Sequence, residues 1–438
     1  MFNTSPAFNL KVVLKETGIA ADTLRAWERR YGLPMPQRTE GGHRLYSERD
    51  IAIIKWLMEQ QESGLSISRA VDRFNELLAS GSDPLAGSRP STTYALQPFS
   101  TESTNLDGLR DEWLNACLTY NESQAEQILN HAFALHPVET VITNLIQRGL
   151  YEIGEMWYGD KASVQQEHFA SGLAMRRLDA LIAASPSPTR RETIVLACPP
   201  NEWHTLSLAI LNLFLRRRGF NVIYLGANVP ISRFEETAKV THANLVILTS
   251  QTLVGAASLQ KTATALTNKK MIVGFGGRIF NLQPEIAKHI AGHHLGTSMA
   301  EAVNEVESIL SGKAKRTRVA STPKDHLNAH KFFISSRVDI ERAVQTSIKS
   351  MIALNEEIQM GIHFLGENIT AALQLGDLRY VSDEMTWIKY LLNAHKRPSE
   401  ELLGFMVAYG KAVDKHMNGA GKPILAWLER EIKTLKTT

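Results

Sequence analysis

The sequence predicts a multidomain protein of mixed α and α/β class. Its 438 residues exceed what a single hydrophobic core usually holds, which is about 250–300 residues. Short β-branched runs occur in one block only, whereas the blocks on either side space their apolar residues by three and four, as helices do. Polar segments separate the blocks and predict these divisions: 1–80, a linker at 81–105, 106–184, 192–311 and 326–438.

The composition excludes several classes of protein. With 44% hydrophobic residues the chain can bury real cores, and its two cysteines, Cys117 and Cys198, form neither a disulfide framework nor a zinc motif. No apolar run reaches the roughly 18 residues of a membrane span, and the N-terminus lacks the pattern of a signal peptide. We therefore expect a cytoplasmic protein. The net charge of +3 indicates no general affinity for nucleic acid, so any basic surface must be local.

Residues 1–80 predict a helix-turn-helix with a basic second helix. Segments 10–17 and 21–31 have helical spacing on either side of a glycine turn, and a Gly-Gly hairpin follows at 40–46. Residues 25–44 hold five arginines against two glutamates, a local excess equal to the net charge of the whole chain. A basic second helix fits the major groove, and an adjacent hairpin can contact phosphates. Isolated arginines alone would leave open an ordinary solvated helical face.

The string TLRAWERRYGLPMPQRTEGGHRLY, residues 23–46, is far more specific than its charge. Over about residues 8–78 the chain resembles the DNA-binding domain of MerR-family regulators, which are winged helix-turn-helix proteins. The resemblance implies that Trp27 and Leu45 belong to the small core. It also implies a set of side chains that face duplex DNA from the recognition helix and the wing: Thr23, Arg25, Arg30, Arg38, His43, Arg44 and Tyr46.

The block 192–311 alternates strands with helices. Strand-like runs at 193–197, 221–225, 245–248 and 271–274 are separated by amphipathic segments of helical length. This alternation predicts a parallel, doubly wound sheet of the Rossmann-like kind. Its ligand site should lie beyond the carboxyl ends of the strands.

Polar residues and glycines follow three of these strands. The first strand is followed by Glu-x-His, the third by Ser-x-Thr and the fourth by Gly-Gly: Glu202, His204, Ser250, Thr252, Gly276 and Gly277. A histidine there can ligate a metal while the carboxylate holds its other ring nitrogen. Small hydroxyl residues can line a narrow channel, and paired glycines let a bulky ligand approach the backbone. Taken alone, Glu-x-His is a weak signal, because surface histidines often lie beside carboxylates.

The order of these motifs resembles the cobalamin-binding domain of methionine synthase and its relatives. In that family the pattern is Asp/Glu-x-His-x-x-Gly, then Ser-x-Leu/Thr, then Gly-Gly. The resemblance implies that His204 is the lower axial ligand of the cobalt, displacing the dimethylbenzimidazole of the cofactor. The nucleotide tail would pass Ser250 and Thr252 and end beside the paired glycines. One departure is Ser207, which stands at the last glycine of the motif and adds a small side chain near the tail.

The block 106–184 carries Trp157, then Glu167 and His168 beyond a Gly-Asp break. On one unbroken helix, Trp157 and Glu167, ten residues apart, would be rotated by about 280° around the helix axis and would face different sides. The break is therefore needed for both side chains to reach one cavity. A core tryptophan and a solvated Glu-His pair are the alternative for this block taken alone. The order of MerR domain, Trp-x9-Glu-His bundle and cobalamin domain resembles the adenosylcobalamin-dependent photoreceptor repressors of the CarH and LitR kind. The resemblance implies that these three side chains surround the upper axial group of the corrin.

In that family, darkness and adenosylcobalamin favour a DNA-bound tetramer, and light breaks the cobalt–carbon bond and dissociates it. Light-sensing members have a histidine directly after the tryptophan, whereas this chain has Tyr158. A phenol with a pKa near 10 is a poor cobalt ligand at neutral pH. The sequence therefore leaves the light response open, with adenosylcobalamin as the expected cofactor.

Residues 326–438 predict a further helical bundle. Apolar spacing indicates helices at 351–375, 380–394, 400–417 and 424–435. The resemblance ends near residue 311, so oligomerisation, partner binding and reception of a second signal all stay open as roles for this block.

Together the patterns predict a cobalamin-dependent transcriptional regulator, a repressor and not an enzyme. Its cofactor state would control assembly into a homodimer or tetramer and binding to operator DNA, with no membrane partner. The more specific form of this prediction is that light also controls the assembly. Two alternatives remain, namely a corrinoid methyl-transfer protein, which has no need of a duplex reader, and a MerR-type regulator of another ligand such as a tetrapyrrole.

Overall fold

A computed structural model describes residues 6–38, 44–62, 65–79, 83–85, 105–159, 161–314, 319–348, 356–382 and 399–437. The chain forms two compact units, Met1–Thr101 and Glu102–Thr438. The first contains the helix-turn-helix block, and the second contains the other three blocks. In the part of the chain that is described, no helix is both long and apolar enough to cross a membrane.

The first unit packs its helices against a small antiparallel sheet. Trp27, Trp56 and Phe74 are buried in one core, where the rings of Trp56 and Phe74 meet edge-on with centroids 5.3 Å apart. The two helices of the predicted helix-turn-helix have the predicted bounds. The elements are β1 (Phe8–Asn9), α1 (Leu10–Thr17), α2 (Ala21–Tyr31), β2 (Gln37–Arg38), β3 (Arg44–Tyr46), α3 (Glu48–Glu62) and α4 (Ile67–Ala79). Strand β3 is central and pairs antiparallel with both β1 and β2.

The second unit begins with a helical bundle whose helix starts are fixed by side-chain caps. Asn105 and Asn121 each accept a backbone hydrogen bond, and Ser163 forms a capping box with Gln166. The helices are α5 (Leu106–Leu118), α6 (Glu122–Leu135), α7 (Val138–Val141), a π-helical turn (Ile142–Gln147), α8 (Arg148–Tyr158) and α9 (Val164–Ala183). The predicted break between Trp157 and the Glu-His pair is therefore present, between α8 and α9.

An α/β domain follows, with a five-stranded parallel sheet in the order β5-β4-β6-β7-β8. Its elements are β4 (Thr193–Ala197), α10 (Leu206–Arg217), β5 (Asn221–Gly226), α11 (Phe234–Val240), β6 (Leu245–Thr249), α12 (Leu253–Asn268), β7 (Val273–Gly276), α13 (Arg278–Leu282), a 3-10 helix (Pro284–His289), β8 (His293–His294) and α14 (Met299–Leu310). The strand order reverses direction between β4 and β6, which is the switch point where such sheets bind ligands. The sequence does not predict β8, because two residues are too short to show a strand pattern.

The C-terminal helices are α15 (Lys324–Ile348), α16 (Glu356–Leu375), α17 (Ser399–Met417) and α18 (Lys422–Thr437). Helix α15, with 25 residues, opens this block and is not among the helices predicted from the sequence. The predicted helix at 380–394 lies mostly outside the described residues, as does the predicted start of α16 at 351–355.

This C-terminal block does not stand apart from the α/β domain. Buried residues of α12 and α16 belong to one hydrophobic cluster. The Gln374 side-chain amide donates to the Ala257 carbonyl oxygen at 2.7 Å, and the Gln283 amide donates to the Tyr380 carbonyl oxygen at 3.0 Å. These buried polar contacts fix the direction in which the helices lie on the sheet domain.

Candidate functional site

A fully buried carboxylate organises the carboxyl edge of the parallel sheet. Glu202 is 0% exposed and follows β4. Its Oε1 atom accepts from Nδ1 of His204 at 2.7 Å and from the His204 backbone N–H at 3.1 Å. Its Oε2 atom accepts from the Ser250 hydroxyl at 2.9 Å and from the Gln251 backbone N–H at 2.7 Å. Four donors on one buried carboxylate therefore join the loop after β4 to the loop after β6.

The electrostatics of this pair favour a charged carboxylate and an oriented imidazole. Burial alone would raise the pKa of Glu202, but the hydrogen bonds from His204 and Gln251 outweigh it and hold that pKa below its usual value. The hydrogen bond to Glu202 raises the pKa of His204, against a smaller opposing effect of burial. Because a carboxylate only accepts, Nδ1 carries the proton and Nε2 is the ring nitrogen available to a metal. The His204 side chain is 64% exposed, so that nitrogen is accessible.

The predicted channel residues lie around the same edge. Ser250 is fully buried, and the Thr252 carbonyl oxygen, 3.0 Å from its hydroxyl oxygen, shares the single hydroxyl hydrogen with Glu202. The Thr252 hydroxyl caps α12 by accepting from the Gly255 N–H at 3.0 Å. A Cβ atom on Gly255 would lie 2.5 Å from Glu202 Oε2, so this glycine is required by the close packing of α12 on the carboxylate.

The paired glycines have different environments. A Cβ atom on Gly277, whose φ is +127°, would lie 2.0 Å from the Ser250 backbone oxygen. A Cβ atom on Gly276 would meet nothing closer than Leu295 Cβ at 3.9 Å. Gly277 is thus needed for the close approach of the loop after β7 to the loop after β6. The sequence predicts instead that both glycines allow a ligand to approach the backbone.

Two further residues at this edge, Gln251 and Gly255, are not among the site residues predicted from the sequence. The Gln251 Nε2 atom donates to the Ser207 hydroxyl at 2.7 Å, and its Oε1 atom accepts from the Arg278 backbone N–H at 3.1 Å. Gln251 occupies the variable position of the Ser-x-Thr motif, so a motif comparison gives no signal for it. Gly255 lies inside a helix, where a glycine is a weak signal without the packing that explains it.

The residues predicted for the upper face of the corrin lie in the helical bundle. Trp157 is half-buried near the end of α8, and Glu167 and His168 lie in the first turn of α9. Nδ1 of His168 lies 2.6 Å from a Glu167 carboxylate oxygen, and the His168 side chain is 74% exposed. The charge of Glu167 contributes to the raised pKa of His204, which places the bundle carboxylate near that imidazole. Tyr158 is the last residue of α8, and its side chain lies outside what the structure describes.

Contacts between the bundle and the α/β domain support this arrangement. Helix α9 packs on α10, and the Arg217 guanidinium of α10 pairs with the Glu139 carboxylate of α7 at 2.7 Å. The residues present fit a cobalamin held by a histidine: one accessible imidazole nitrogen, an ionised buried carboxylate behind it, and a helical face beside it.

The expected DNA-facing residues of α2 are exposed. Thr23, Arg25 and Arg30 are all exposed, whereas Leu24 and Trp27 of the same helix are buried. Arg25 makes a long surface ion pair with Asp22 at 3.5 Å. Both guanidinium groups are therefore accessible to the phosphates and bases of a duplex.

The wing region differs from the expectation at one residue. Tyr46 is 0% exposed, and its hydroxyl donates to a Glu28 carboxylate oxygen at 2.6 Å. Tyr46 is therefore a core residue, and its assignment to the duplex is wrong, because a fully buried side chain cannot reach DNA. The Arg44 guanidinium pairs with the same carboxylate at 2.8 Å, whereas Arg38 is exposed and His43 lies outside the described residues.

Three family models match parts of the chain. Residues 8–77 match the MerR HTH family of regulatory proteins. Residues 192–304 match a B12 binding domain family, and residues 109–182 match a second B12 binding domain family. The matches end at residue 304, so they do not reach the C-terminal helices.

The relatives include two named repressors of Myxococcus xanthus. The chain is 27% identical over 289 residues to the HTH-type transcriptional repressor CarH, covering 65% of this chain and 94% of that protein. It is 28% identical over 242 residues to the HTH-type transcriptional repressor CarA, covering 55% of this chain and 75% of that protein. An uncharacterised 20.5 kDa protein of Rhodobacter capsulatus, from the bchF–crtJ intergenic region, is 30% identical over 155 residues, covering 34% of this chain and 81% of that protein.

Proposed function

We propose that this chain, which belongs to the family of MerR-type regulators with attached B12-binding domains and is homologous to CarH and CarA, is a cobalamin-dependent transcriptional repressor. The observation that carries the proposal is the pair of Glu202 and His204 at the switch point of the sheet, in the same chain as an arginine-bearing helix-turn-helix. A corrinoid carrier of methyl groups would need the first feature and not the second.

Each residue of the site has a role in this proposal. Nε2 of His204 would hold the cobalt of a bound cobalamin, and Glu202 holds the imidazole in the required tautomer and orientation. Trp157, Glu167 and His168 would hold the upper side of the bound corrin. Adenosylcobalamin, the form we propose, supplies a light-sensitive cobalt–carbon bond when it is bound.

Ser207, Ser250, Thr252, Gly276 and Gly277 surround the nucleotide tail in this proposal. The tail path is supported by the position of these residues along the ends of β4, β6 and β7. Tyr158 replaces the histidine expected of light sensors, so we propose that the cofactor controls repression by being bound or absent, with light as a secondary input.

Control of DNA binding follows from linkage. If cobalamin stabilises a homo-oligomer, and two helix-turn-helix units bind DNA more tightly than one, then the cofactor raises operator affinity. Thr23, Arg25, Arg30, Arg38, His43 and Arg44 are the residues that we propose contact the duplex.

The test uses the full-length protein, its cofactor and sheared genomic DNA of its source. Purified apoprotein mixed with adenosylcobalamin in the dark should give a stoichiometric corrinoid spectrum, and light scattering after size exclusion should report a larger assembly than the apoprotein. Sequencing the DNA fragments that the protein retains should show discrete sites that are enriched only with the cofactor. A protein that takes up no cobalamin, or whose retained sites ignore it, would contradict the proposal.

A light arm completes the same experiment. Green light applied to the loaded protein should leave most of the assembly intact, since Tyr158 offers no imidazole for a stable light product. Complete dissociation of the assembly on illumination would instead show that the protein is a light sensor. It would contradict the proposal that light is only a secondary input.

A further inference from the structure

One side chain crosses the carboxyl edge of the sheet from one helix to another. Gln251 follows β6, yet its side-chain amide donates to the Ser207 hydroxyl in the first turn of α10 at 2.7 Å. The same amide group accepts, through its oxygen, from the backbone N–H of Arg278 at the start of α13 at 3.1 Å. Helices α10 and α13 follow β4 and β7, the strands on either side of β6. We call these three residues, Ser207, Gln251 and Arg278, the amide bridge.

The amide bridge has a fixed base. The Gln251 backbone N–H donates to the buried Glu202 carboxylate at 2.7 Å, and the Ser250 N–H donates to the Gly276 carbonyl oxygen at 3.0 Å. The backbone under the bridge is therefore tied to both neighbouring strand ends. Only the side chain of Gln251 is free to rotate away without breaking these contacts.

The bridge lies along the path proposed for the nucleotide tail. Gln251 stands between Ser250 and Thr252, and its amide oxygen contacts the residue that follows Gly277. The bridge joins the first of these motifs to the last, so a ligand group bound along the same strand ends would take the place of the Gln251 side chain between Ser207 and Arg278. Ser207 supplies the hydroxyl for the bridge at the position where the methionine synthase pattern has a glycine, which has no side-chain acceptor.

We propose that the amide bridge gates the nucleotide tail, so that Ser207 and Gln251 are specificity-determining residues for corrinoids that carry a tail. The inference rests on the proposed binding of cobalamin. It adds that a corrinoid with a nucleotide tail must displace the Gln251 side chain, which costs free energy, whereas a corrinoid without a tail need not. A tail-less corrinoid ligates His204 without displacing Gln251. Opening breaks two hydrogen bonds of the free protein, so the bridge lowers the affinity for a tailed ligand and leaves that for a tail-less ligand unchanged.

The experiment compares two probes with the same upper group, adenosylcobalamin and adenosylcobinamide, the second of which lacks the nucleotide tail. Absorbance titrations and calorimetry on the full-length protein give the dissociation constants in the dark. Gln251→Ala and Ser207→Ala should each bind adenosylcobalamin roughly fivefold to tenfold more tightly than the wild type, as expected for one or two net hydrogen bonds. Both variants should bind adenosylcobinamide as the wild type does.

Two controls sharpen this comparison. Gln61→Ala removes an exposed glutamine amide from the other compact unit and should change neither dissociation constant. The double variant Ser207→Ala/Gln251→Ala should gain no more affinity than Gln251→Ala alone, because both substitutions break one structure.

A measurement without cofactor tests the bridge itself. In the apoprotein, Gln251→Ala removes the acceptor of the Arg278 N–H, so the peptide that contains residue 278 should exchange its amide hydrogens faster than in the wild type. Unchanged exchange would show that the bridge is not formed in solution and would overturn the inference.

The outcomes separate the gate from the proposed function. If the variants change the affinities for both probes by the same factor, or change neither, the gate is wrong while cobalamin binding stands. If the wild type binds neither probe, the proposed function fails, and the inference fails with it.

Discussion

Among single residues, the buried carboxylate of Glu202 determines the geometry of the site through the hydrogen bonds that it accepts. Glu202 has no access to solvent, and all four of its hydrogen-bond donors belong to the two loops that would hold the cofactor. An ionised group in such a place is tolerated only when its donors replace water, and each donor then becomes fixed in direction. The orientation of His204 is thus a consequence of burial, and not of the Glu-x-His spacing alone.

Glu202→Gln should weaken cobalamin binding by about tenfold to a hundredfold, the range typical of groups that orient a metal ligand. The amide keeps the size of the carboxylate but loses its charge, and it presents an N–H group to a neighbouring donor. Spectrophotometric titration of the full-length protein with adenosylcobalamin measures the effect.

The matched control for this prediction is Glu285→Gln, which removes a surface carboxylate that pairs with Lys288. In a His204→Ala background the Glu202→Gln substitution should cost much less, because Glu202 acts through the imidazole. An equal loss in both backgrounds would assign Glu202 a purely structural role.

On the DNA-binding unit, single-residue exposure decides which arginines matter. Arg30→Ala should weaken binding to sheared genomic duplex DNA and lower the slope of log affinity against log salt by about one, as expected for the loss of one phosphate contact. Fluorescence anisotropy at several salt concentrations measures both quantities. Arg73→Ala, an exposed arginine of α4 with the same change of charge, is the control and should leave the slope unchanged. Identical slopes for wild type and Arg30→Ala would remove Arg30 from the interface.

At the scale of elements, strand ends and helix starts decide which glycines are needed. Gly276 and Gly277 are indistinguishable in the Gly-Gly motif, yet only Gly277 has both a positive φ of +127° and a backbone oxygen where a Cβ would lie. A side chain there must move the loop after β6, which carries Ser250 and Gln251.

Gly277→Ala should therefore lower the free energy of unfolding of the apoprotein by at least about 2 kcal/mol, through backbone strain and the contact with the Ser250 oxygen. Gly276→Ala, whose new methyl group meets nothing closer than 3.9 Å, should cost less than about 1 kcal/mol and serves as the control. Urea denaturation followed by circular dichroism measures both. Equal costs for the two variants would mean that the close approach at Gly277 is absent in solution.

Helix α15 has the apolar spacing of a helix in its sequence, yet it is not predicted. Its buried residues follow helical spacing along one face, at Ala329, Phe333, Ile340, Val344 and Ile348. A basic, polar segment directly before it gives the appearance of a long linker, which hides where the helix begins. The π-helical turn Ile142–Gln147 is different, because its apolar residues fit an α-helix equally well and only the backbone hydrogen bonds distinguish the two.

At the scale of the whole molecule, the C-terminal helices complete the core of the α/β domain. Helix α12 carries Thr252 as its cap at one end, beside the candidate cofactor site, and packs against α16 along its length. Buried residues of both helices share one cluster, and Gln374 joins them through a buried hydrogen bond. A domain bounded at residue 311 would therefore leave an apolar face of α12 open to water.

A chain that ends at residue 311 should consequently aggregate, or bind a hydrophobic dye and melt well below the full-length protein. Size exclusion, dye fluorescence and differential scanning calorimetry report this directly. Removal of residues 1–101 is the matched control, because those residues form a separate compact unit, and it should leave the melting of the remainder nearly unchanged. A shortened chain that stays monomeric and melts like the full-length protein would show that the shared core contributes little.

The sequence by itself determined the helix-turn-helix, the alternation of strands and helices, and the Glu-x-His, Ser-x-Thr and Gly-Gly motifs, because periodicity and motif spacing are local properties of the chain. It did not determine that Tyr46 is buried on Glu28, that Gln251 spans from Ser207 to Arg278, or that the last helices share a core with α12. Each of these joins residues distant in the chain. The partner of a buried polar or apolar group is set by which surfaces meet on folding, and only the tertiary structure decides that.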